Sequence, residues 1–294
     1  MELNQFRTTF DIPDTELDIQ YGQPIFSIGS CFAEHMADRL QHYGFDVLSN
    51  PNGILFNPVS LALNLRNLTE KRYPTKSELI THNGLWNSWQ HHHSCSDTDP
   101  DRMIQKLQAT GELAAEHLSN SKMLLVTFGT AFAYMYKASG ALVANCHKIP
   151  NDRFEKVRLS QHRIVGEWQD TLTLLLAKNP DLKVIMTVSP VRHIKDGVVA
   201  NQRSKATLLL AIEALTKQFE QVHYFPSYEI MMDDLRDYRF YNSDMLHPTN
   251  EAVKYIWHRF TASFMSSETL GIMKEVNRLQ AQRQHRLMPV SYTH

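Results

Sequence analysis

Short apolar runs that alternate with longer amphipathic segments constrain the fold of this chain more than any other feature. The runs have the length and composition of buried strands, and they are Pro24–Ile28, Phe45–Leu48, Met123–Phe128, Val184–Val188 and Val222–Phe225. Helical spacing predicts helices at Phe32–Tyr43, Pro58–Leu68, Met103–Leu118, Ile164–Ala177, Ser204–Phe219 and Glu251–Phe264. This alternation predicts a three-layer α/β/α domain with a parallel sheet covered on both faces.

The length of 294 residues, with 43% hydrophobic and 21% charged residues, is ordinary for a globular protein. We expect one domain over residues 1–265, with an insertion at about residues 70–118 that carries loops between residues 73 and 100. Residues 266–294 are polar and are expected to form a surface helix or a frayed tail.

Charge and cysteine content exclude several classes of partner. A formal net charge of −1 provides no field that would attract nucleic acid or an anionic membrane. The cysteines Cys31, Cys95 and Cys146 are far apart and form no CxxC pair, so neither a disulfide framework nor a zinc site is expected. The first residues lack the pattern of a secretory signal, and no stretch reaches the length of apolar residues that spans a bilayer. We therefore expect a cytoplasmic protein without cofactor, whose oligomeric state the sequence leaves open.

Polar residues follow the predicted strands, where ligands bind in open α/β sheets. These positions are Ser30, Asn52-Gly53, Gly129-Thr130 and Ser189-Pro190, and the segment Asp244–His247 comes last in the chain. We expect the chemistry of the protein at this edge of the sheet.

Ser30 and the pair Asp244 and His247 each allow two interpretations. A serine at a strand-to-helix turn is commonly a helix cap, but it is also placed to act as a nucleophile beside free helix N–H groups. In one interpretation, Asp244 and His247 merely form a turn before the last helix. Together with Ser30, however, they supply the base and the orienting carboxylate that a serine nucleophile needs.

Several blocks of the sequence resemble a known family. Gly29-Ser30-Cys31-Phe32-Ala33 is similar to the motif that names the GSCFA family, which resembles the SGNH (GDSL-like) hydrolases. The similarity extends through Ser49–Pro58, His82–Trp86, Thr127–Phe132, Ala144–Lys148, Val188–His193 and Asp237–Pro248. The resemblance covers about residues 20 to 260 and implies a flavodoxin-like parallel sheet.

The resemblance implies catalytic roles for three residues: Ser30 as nucleophile, His247 as base and Asp244 as the acid that orients it. It also implies that the backbone amides of Ser30 and Gly53 donate to the oxyanion. The asparagine expected in the block after the third strand is replaced by Ala131.

The missing donor could be replaced by Thr130, Tyr134, Asn145 or His147. We expect Asn145 or His147 to reach the pocket. Thr130 is also assigned to the oxyanion site. The predicted substrate-binding residues are Asn145, His147, Arg192, His193 and Trp86.

Other chemistry-bearing residues have competing interpretations. His91-His92-His93 lies on an irregular segment without a partner at i+4, so lining a pocket is favoured over metal binding. Trp86 and Trp89 could stack on a sugar or act as packing anchors. Cys31 adjoins the predicted nucleophile, but a small packed residue is the expected role. Arg192 could bind an anionic group of the substrate or form a salt bridge.

The sequence therefore predicts a serine-dependent esterase or O-acyltransferase that acts on a small acyl ester through an acyl-Ser30 intermediate. An acetylated carbohydrate is the leading substrate, on the resemblance alone. The alternative is a non-catalytic module that retains the fold and binds a carbohydrate or another ligand.

Overall fold

Strands in the computed structural model, which describes residues 8–13 and 15–285, form one central sheet and two small sheets. The strands are β1 (Ile25–Gly29), β2 (Val47–Ser49), β3 (Leu79–His82), β4 (Leu85–Ser88), β5 (Met123–Phe128), β6 (Phe132–Tyr136), β7 (Ala141–Val143), β8 (Phe154–Arg158), β9 (Lys183–Val188) and β10 (Val222–Phe225). The central sheet contains β1, β2, β5, β9 and β10.

The order of strands in the central sheet is β10-β9-β5-β1-β2, and every neighbouring pair is parallel. Counted along the chain within this sheet, the order is 2-1-3-4-5, which is the flavodoxin-like arrangement. The predicted fold class is therefore confirmed. Residues Gly29, Thr127 and Thr187 lie side by side in the register of β1, β5 and β9, so the segments after these strands meet at one edge.

Helices cover both faces of this sheet. They are α1 (Cys31–His42), α2 (Pro58–Thr69), α3 (Pro100–Asn120), α4 (Gln161–Lys178), α5 (Val198–Gln218), α6 (Ser227–Glu229), α7 (Asn250–Phe264) and α8 (Ser267–His285). Helix α5 begins at Val198, six residues before the predicted start at Ser204, because its first turns are largely polar or exposed and lack the apolar spacing that marked the rest.

Two hydrophobic cores lie on opposite faces of the sheet because successive residues of a strand point to opposite sides. Phe26, Leu124 and Val126 pack against α2 to α5. Ile25 and Leu125 pack on the other face, where α1 and α7 contribute large apolar side chains. These packed layers hold the strand ends at fixed positions.

The small sheets differ from the loops that were expected. Strands β3 and β4 form an antiparallel hairpin inside the segment 73–100, which the sequence analysis assigned to loops. The hairpin turns at Asn83-Gly84, where both residues have positive φ angles of 49° and 73°. This dipeptide favours such turns because asparagine and glycine tolerate that backbone region. Strands β7, β6 and β8 form a second antiparallel sheet beside the carboxyl edge of β5.

Helix α8 contains residues that the sequence analysis placed in the polar tail, up to residue 285. The boundary at residue 265 and the insertion at about residues 70–118 stay predictions. Among the described helices, none is long and apolar enough to cross a membrane.

Candidate active site

Ser30 lies at the junction of β1 and α1, at the carboxyl edge of the sheet. Gly29 permits this junction: its φ angle is +150°, and a Cβ atom there would lie 2.3 Å from the Thr127 carbonyl oxygen. The Ser30 Oγ is buried and makes no hydrogen bond, capping or otherwise, to residues 8–13 and 15–285. A buried hydroxyl without a partner is costly. Side-chain capping therefore does not explain this serine.

Asp244 and His247 form a hydrogen-bonded pair within one tight turn. Asp244 Oδ1 accepts the backbone N–H groups of Leu246 at 2.8 Å and His247 at 3.0 Å, and Oδ2 lies 2.5 Å from His247 Nδ1. The hydrogen bonds from the His247 amide and ring, followed by that from Leu246, lower the pKa of Asp244 to about 2. An ionised carboxylate at Nδ1 favours the tautomer that carries its proton there. The Nε2 atom of His247 is then left as the basic nitrogen.

Arg192 ties this turn to the segment that follows β9. Its backbone N–H donates to Leu246 O at 3.4 Å, and its guanidinium donates to Met245 O. The guanidinium also lies 4.6 Å from the ring centroid of Tyr241. In this structure Arg192 therefore positions the Asp244–His247 turn, and its predicted contact with substrate stays a prediction.

Ser30 and His247 belong to the same edge of the sheet but are not hydrogen bonded, since Ser30 Oγ has no partner within the described part of the chain. The turn of His247 packs against the segment after β9, and β5 separates β9 from β1. The side chain of His247 is 46% exposed, whereas Ser30 is fully buried. Catalytic hydrogen bonds are often long or absent without substrate, and the triad stays a prediction.

The backbone N–H groups of the three residues predicted at the oxyanion site donate to backbone carbonyl groups in this structure. The N–H of Ser30 donates to Thr127 O at 3.2 Å, that of Gly53 to Asn50 O at 2.8 Å and that of Thr130 to Phe56 O at 3.1 Å. An oxyanion would have to share or replace these acceptors. The hydroxyl of Thr130 lies 3.1 Å from that of Ser204.

Ala131 is fully buried and packs in the core formed with α2 to α5. Its backbone N–H donates to Ser204 Oγ at 2.8 Å, and its carbonyl accepts the N–H of Leu159. An asparagine at this position would place its amide among apolar side chains. Position 131 therefore suits a small apolar side chain better than the expected asparagine.

Asn145 and His147 lie beside the β4 hairpin strand. His147 Nε2 donates to Ser88 O at 2.7 Å, and Asn145 Oδ1 accepts the His147 N–H at 2.8 Å. The ring of His147 is 6.2 Å from those of Trp89 and His93. Contact between either residue and an acyl group on Ser30 stays a prediction.

The segment His91–His93 lies beside both His147 and Gly53 of the predicted site. His91 Nδ1 lies 2.7 Å from Ser88 Oγ, and burial lowers the pKa of His91 to about 4, which keeps it neutral. His92 covers Gly53, where an added Cβ atom would lie 2.3 Å from the His92 Cβ. Within residues 8–13 and 15–285, no three His, Cys, Asp or Glu side chains are grouped as a metal site.

His193 follows β9 and Cys31 follows β1, the two strands that flank β5 in the sheet. Burial, followed by the charges of Lys205 and His247, lowers the pKa of His193 to about 4. Its Nε2 atom is buried without a hydrogen-bond partner among the described residues. Burial and then Glu34 raise the pKa of the Cys31 thiol, which disfavours the thiolate form and with it a cysteine nucleophile.

Trp86 lies in β4 and packs against Leu79, Met103 and Leu107. Its backbone pairs with Asp97. These contacts describe a packing anchor, and a role in substrate binding stays a prediction.

Three polar residues at the start of α5 were missed by the sequence analysis. Asn201, Ser204 and Lys205 are each at most 2% exposed. Asn201 Oδ1 accepts the N–H of His193 at 2.9 Å. They share one helical face with buried Leu208, because residues at i, i+3, i+4 and i+7 align. A lysine in the apolar stripe of a helix was the available signal, since lysine is rarely buried.

Two solved structures are similar to this chain at low identity. One is a carbohydrate esterase of family 3 from Talaromyces cellulolyticus, with 9% identity, a TM-score of 0.38 and coverage of 85% of this chain and 98% of that chain. The other is the acetyl xylan esterase Est2A from the rumen bacterium Butyrivibrio proteoclasticus, with 12% identity and a TM-score of 0.41. The match covers 86% of this chain and 65% of that chain. No curated protein sequence matches this chain.

A family model supplies the assignment. The model of the GSCFA family matches residues 24–260, which is more than half of the chain and includes Ser30, Asp244 and His247. The resemblance noted from the sequence blocks is confirmed: the chain belongs to the GSCFA family.

Proposed function

We propose that the chain is a serine-dependent esterase or O-acyltransferase for small acyl esters, with an acetylated carbohydrate as the leading substrate. The observation that carries the proposal is the Asp244–His247 pair, with a 2.5 Å contact between Oδ2 and Nδ1. This pair leaves a basic Nε2 at the edge of the sheet where Ser30 lies. Membership of the GSCFA family supports the same class of reaction.

The proposed reaction has two acyl-transfer steps. His247 Nε2 removes the proton of Ser30 Oγ as Oγ attacks the ester carbonyl carbon, and the carbonyl oxygen becomes an oxyanion. The intermediate collapses, the bond to the alcohol oxygen breaks, and His247 returns its proton to that oxygen. Water or a sugar hydroxyl then attacks the acyl-Ser30 carbonyl, again with His247 as base, and Ser30 is released with its proton.

A conformational step precedes this chemistry. Ser30 Oγ is covered and His247 does not contact it, so substrate binding must expose the hydroxyl and bring Nε2 within about 3 Å of it.

A fluorophosphonate probe and p-nitrophenyl acetate test the function. We expect the wild type to be labelled and to release p-nitrophenol, and Ser30→Ala and His247→Ala to do neither above background. Cys31→Ala, the matched neighbour, is expected to retain both activities. Labelling that persists in Ser30→Ala would refute the proposed nucleophile. Adding a monosaccharide acceptor to the assay separates the two reactions, since a transferase forms the sugar ester and an esterase forms free acid.

The three engaged amides and the covered Ser30 favour one alternative, a module that binds a ligand without cleaving it. The same assay decides between the two. Absence of both labelling and turnover in the folded wild type favours the binding module.

A further inference from the structure

Lys205 is buried at the centre of the sheet edge. It is 1% exposed, and its Nζ donates to Gly129 O at 2.8 Å and to Ser189 O at 2.6 Å. These carbonyl groups belong to the first residues after β5 and β9. Nζ also lies 5.5 Å from the ring centroid of Tyr228, and Lys205 forms no ion pair with any residue that the structure describes.

The register of the sheet places this ammonium group close to Ser30. Ser30 follows β1, whose last residue Gly29 pairs with Thr127 of β5. Neighbouring strands are about 4.8 Å apart, so Gly129 lies beside the segment that carries the serine. The charge of Lys205 also acts on the thiol of Cys31, the residue after Ser30.

Ala131 leaves the predicted oxyanion site without the expected asparagine donor, and α5 contacts this position. Ser204 binds the N–H of Ala131, the position of the expected asparagine, and Lys205 is its neighbour. A lysine ammonium has three N–H donors. Two are used by carbonyl groups, and the third has no hydrogen-bond acceptor among the described residues.

We propose that Lys205 supplies the oxyanion donor that Ala131 does not, through its third N–H and its positive charge. This rests on the proposed function. Lys205 transfers no proton in this role: it donates a hydrogen bond to the oxygen that becomes negative when Ser30 attacks. A buried cation at that oxygen stabilises the transition state more than the uncharged ester.

The test compares Lys205→Met with Lys217→Met, an exposed lysine of the same helix. With p-nitrophenyl acetate we expect Lys205→Met to lower kcat by about 10²–10³-fold with little change in KM. Lys217→Met is expected to match the wild type. Lys205→Gln keeps an N–H donor without the charge and is expected to lie between them. A folded Lys205→Met or Lys205→Gln with wild-type kcat would overturn the proposal and leave the Ser30 mechanism standing.

The dependence of kcat on pH in the wild type is an independent test if these variants do not fold. Burial lowers the pKa of Lys205 to about 7, so its charge is lost as the pH rises through neutrality. We expect kcat to fall on the alkaline side. Where urea melts show that Lys205 loses its proton between about pH 7 and pH 9.5, a kcat that stays level over this range would contradict a role for its charge. Absence of any turnover at all would instead count against the proposed function.

A separate observation concerns the groove between α2, α3 and the β3–β4 hairpin, which has a volume of about 460 Å³. This is within the range of ligand sites, about 300–1,000 Å³. Amide and aromatic side chains line it: Asn52, Asn64, Asn67, Gln90, Tyr73 and Trp89. The ring of Tyr73 packs directly on Gly111, because a Cβ atom at position 111 would lie only 2.7 Å from it.

The charge of the lining is balanced. Arg72 and Glu78 are its two charged residues, and His91 is neutral because burial lowers its pKa to about 4. Asn67 Oδ1 accepts a hydrogen bond from Arg72 Nε at 2.9 Å, which leaves the Nδ2 group to donate to a ligand. Amides match hydroxyl groups as both donors and acceptors, and aromatic rings cover apolar sugar faces.

We infer that this groove binds a neutral carbohydrate chain. Asn52 lines the groove and precedes Gly53 of the predicted site in the chain, so a bound carbohydrate would contact a neighbour of that site. The binding itself needs no catalysis.

Calorimetry on Ser30→Ala tests the groove with cellohexaose and with a galacturonate oligomer of equal length. We expect the neutral chain to bind. We expect the double variant Asn67→Ala with Tyr73→Ala to bind it at least tenfold more weakly. The matched control is Asn277→Ala, in a groove of about 530 Å³ formed by α1, α7 and α8. No binding of the neutral chain, tighter binding of the acidic one, or equal loss in the control would overturn this inference, whatever the esterase assay shows.

Discussion

The two halves of the proposed site are built in different ways. Asp244 and His247 are three residues apart, and their contacts lie within one turn that is exposed to solvent. Ser30 is buried, and its backbone N–H donates to Thr127 O of β5, which is far away in the sequence. The base is therefore organised by a local motif, whereas the nucleophile depends on the whole fold. We expect changes at the turn to affect chemistry alone and changes around Ser30 to affect stability as well.

The largest expected effect is that of Ser30→Ala on turnover. Removal of the nucleophile is expected to lower kcat by about 10⁴-fold or more. The free energy of unfolding should not fall, because the lost hydroxyl has no partner among the described residues. Rate assays with p-nitrophenyl acetate and urea denaturation measure the two quantities. A large loss of stability would show that Ser30 acts as a structural hydroxyl.

Asp244→Asn is expected to reduce kcat by about 10²–10⁴-fold, since the amide no longer favours the tautomer with a basic Nε2. The turn is half exposed, so the urea midpoint should change little. Asp237→Asn, on the preceding segment, is the matched control. Wild-type kcat in Asp244→Asn would remove the carboxylate from the mechanism.

Gly29→Ala tests the other half of the comparison through stability. The added Cβ would lie 2.3 Å from Thr127 O, at a φ angle of +150°. Backbone strain and overpacking together are expected to cost about 2–5 kcal/mol. Gly140→Ala has open space and is the control for positive φ. Equal urea midpoints for the two variants would show that the β1–α1 junction is not tightly constrained.

The smallest effect is a slope in the dependence of stability on pH. The pKa of Lys205 is about 7 in the folded protein and near 10.5 in the unfolded chain. Between these values the unfolded state binds one more proton, so the free energy of unfolding rises with pH, by about 1.4 kcal/mol per unit at most. Lys205→Met is expected to lack this contribution. Urea melts at pH 7, 8 and 9 measure it, and identical slopes in both proteins would contradict it.

Much of the fold was predictable because its strands are short apolar runs. Met123–Phe128 and Val222–Phe225 were predicted with the bounds that the structure has. The β3–β4 hairpin was missed although Asn83-Gly84 is a hairpin signal, because the apolar residues of each flanking strand are adjacent and do not alternate with polar ones. The β7-β6-β8 sheet was missed for a similar reason, since two of its three strands have no clear alternation of buried and exposed residues.

The candidate site was predictable only where it is local in sequence. Asp244 and His247 lie in one turn, so their spacing alone indicated that they meet. The contact between Lys205 and Gly129 joins residues 76 positions apart, and it depends on how α5 packs against the sheet. No local pattern describes that packing, although a lysine on the buried face of α5 hinted at it.

The cover over Ser30 has a consequence for the fate of the acyl group. An acyl group on a serine as buried as Ser30 would meet bulk water rarely, so its lifetime would depend on which acceptor enters together with the substrate. Competition between water and an added sugar alcohol should then favour the sugar beyond its share of hydroxyl groups. A partition that follows concentration alone would indicate that Ser30 becomes exposed to solvent before the second step.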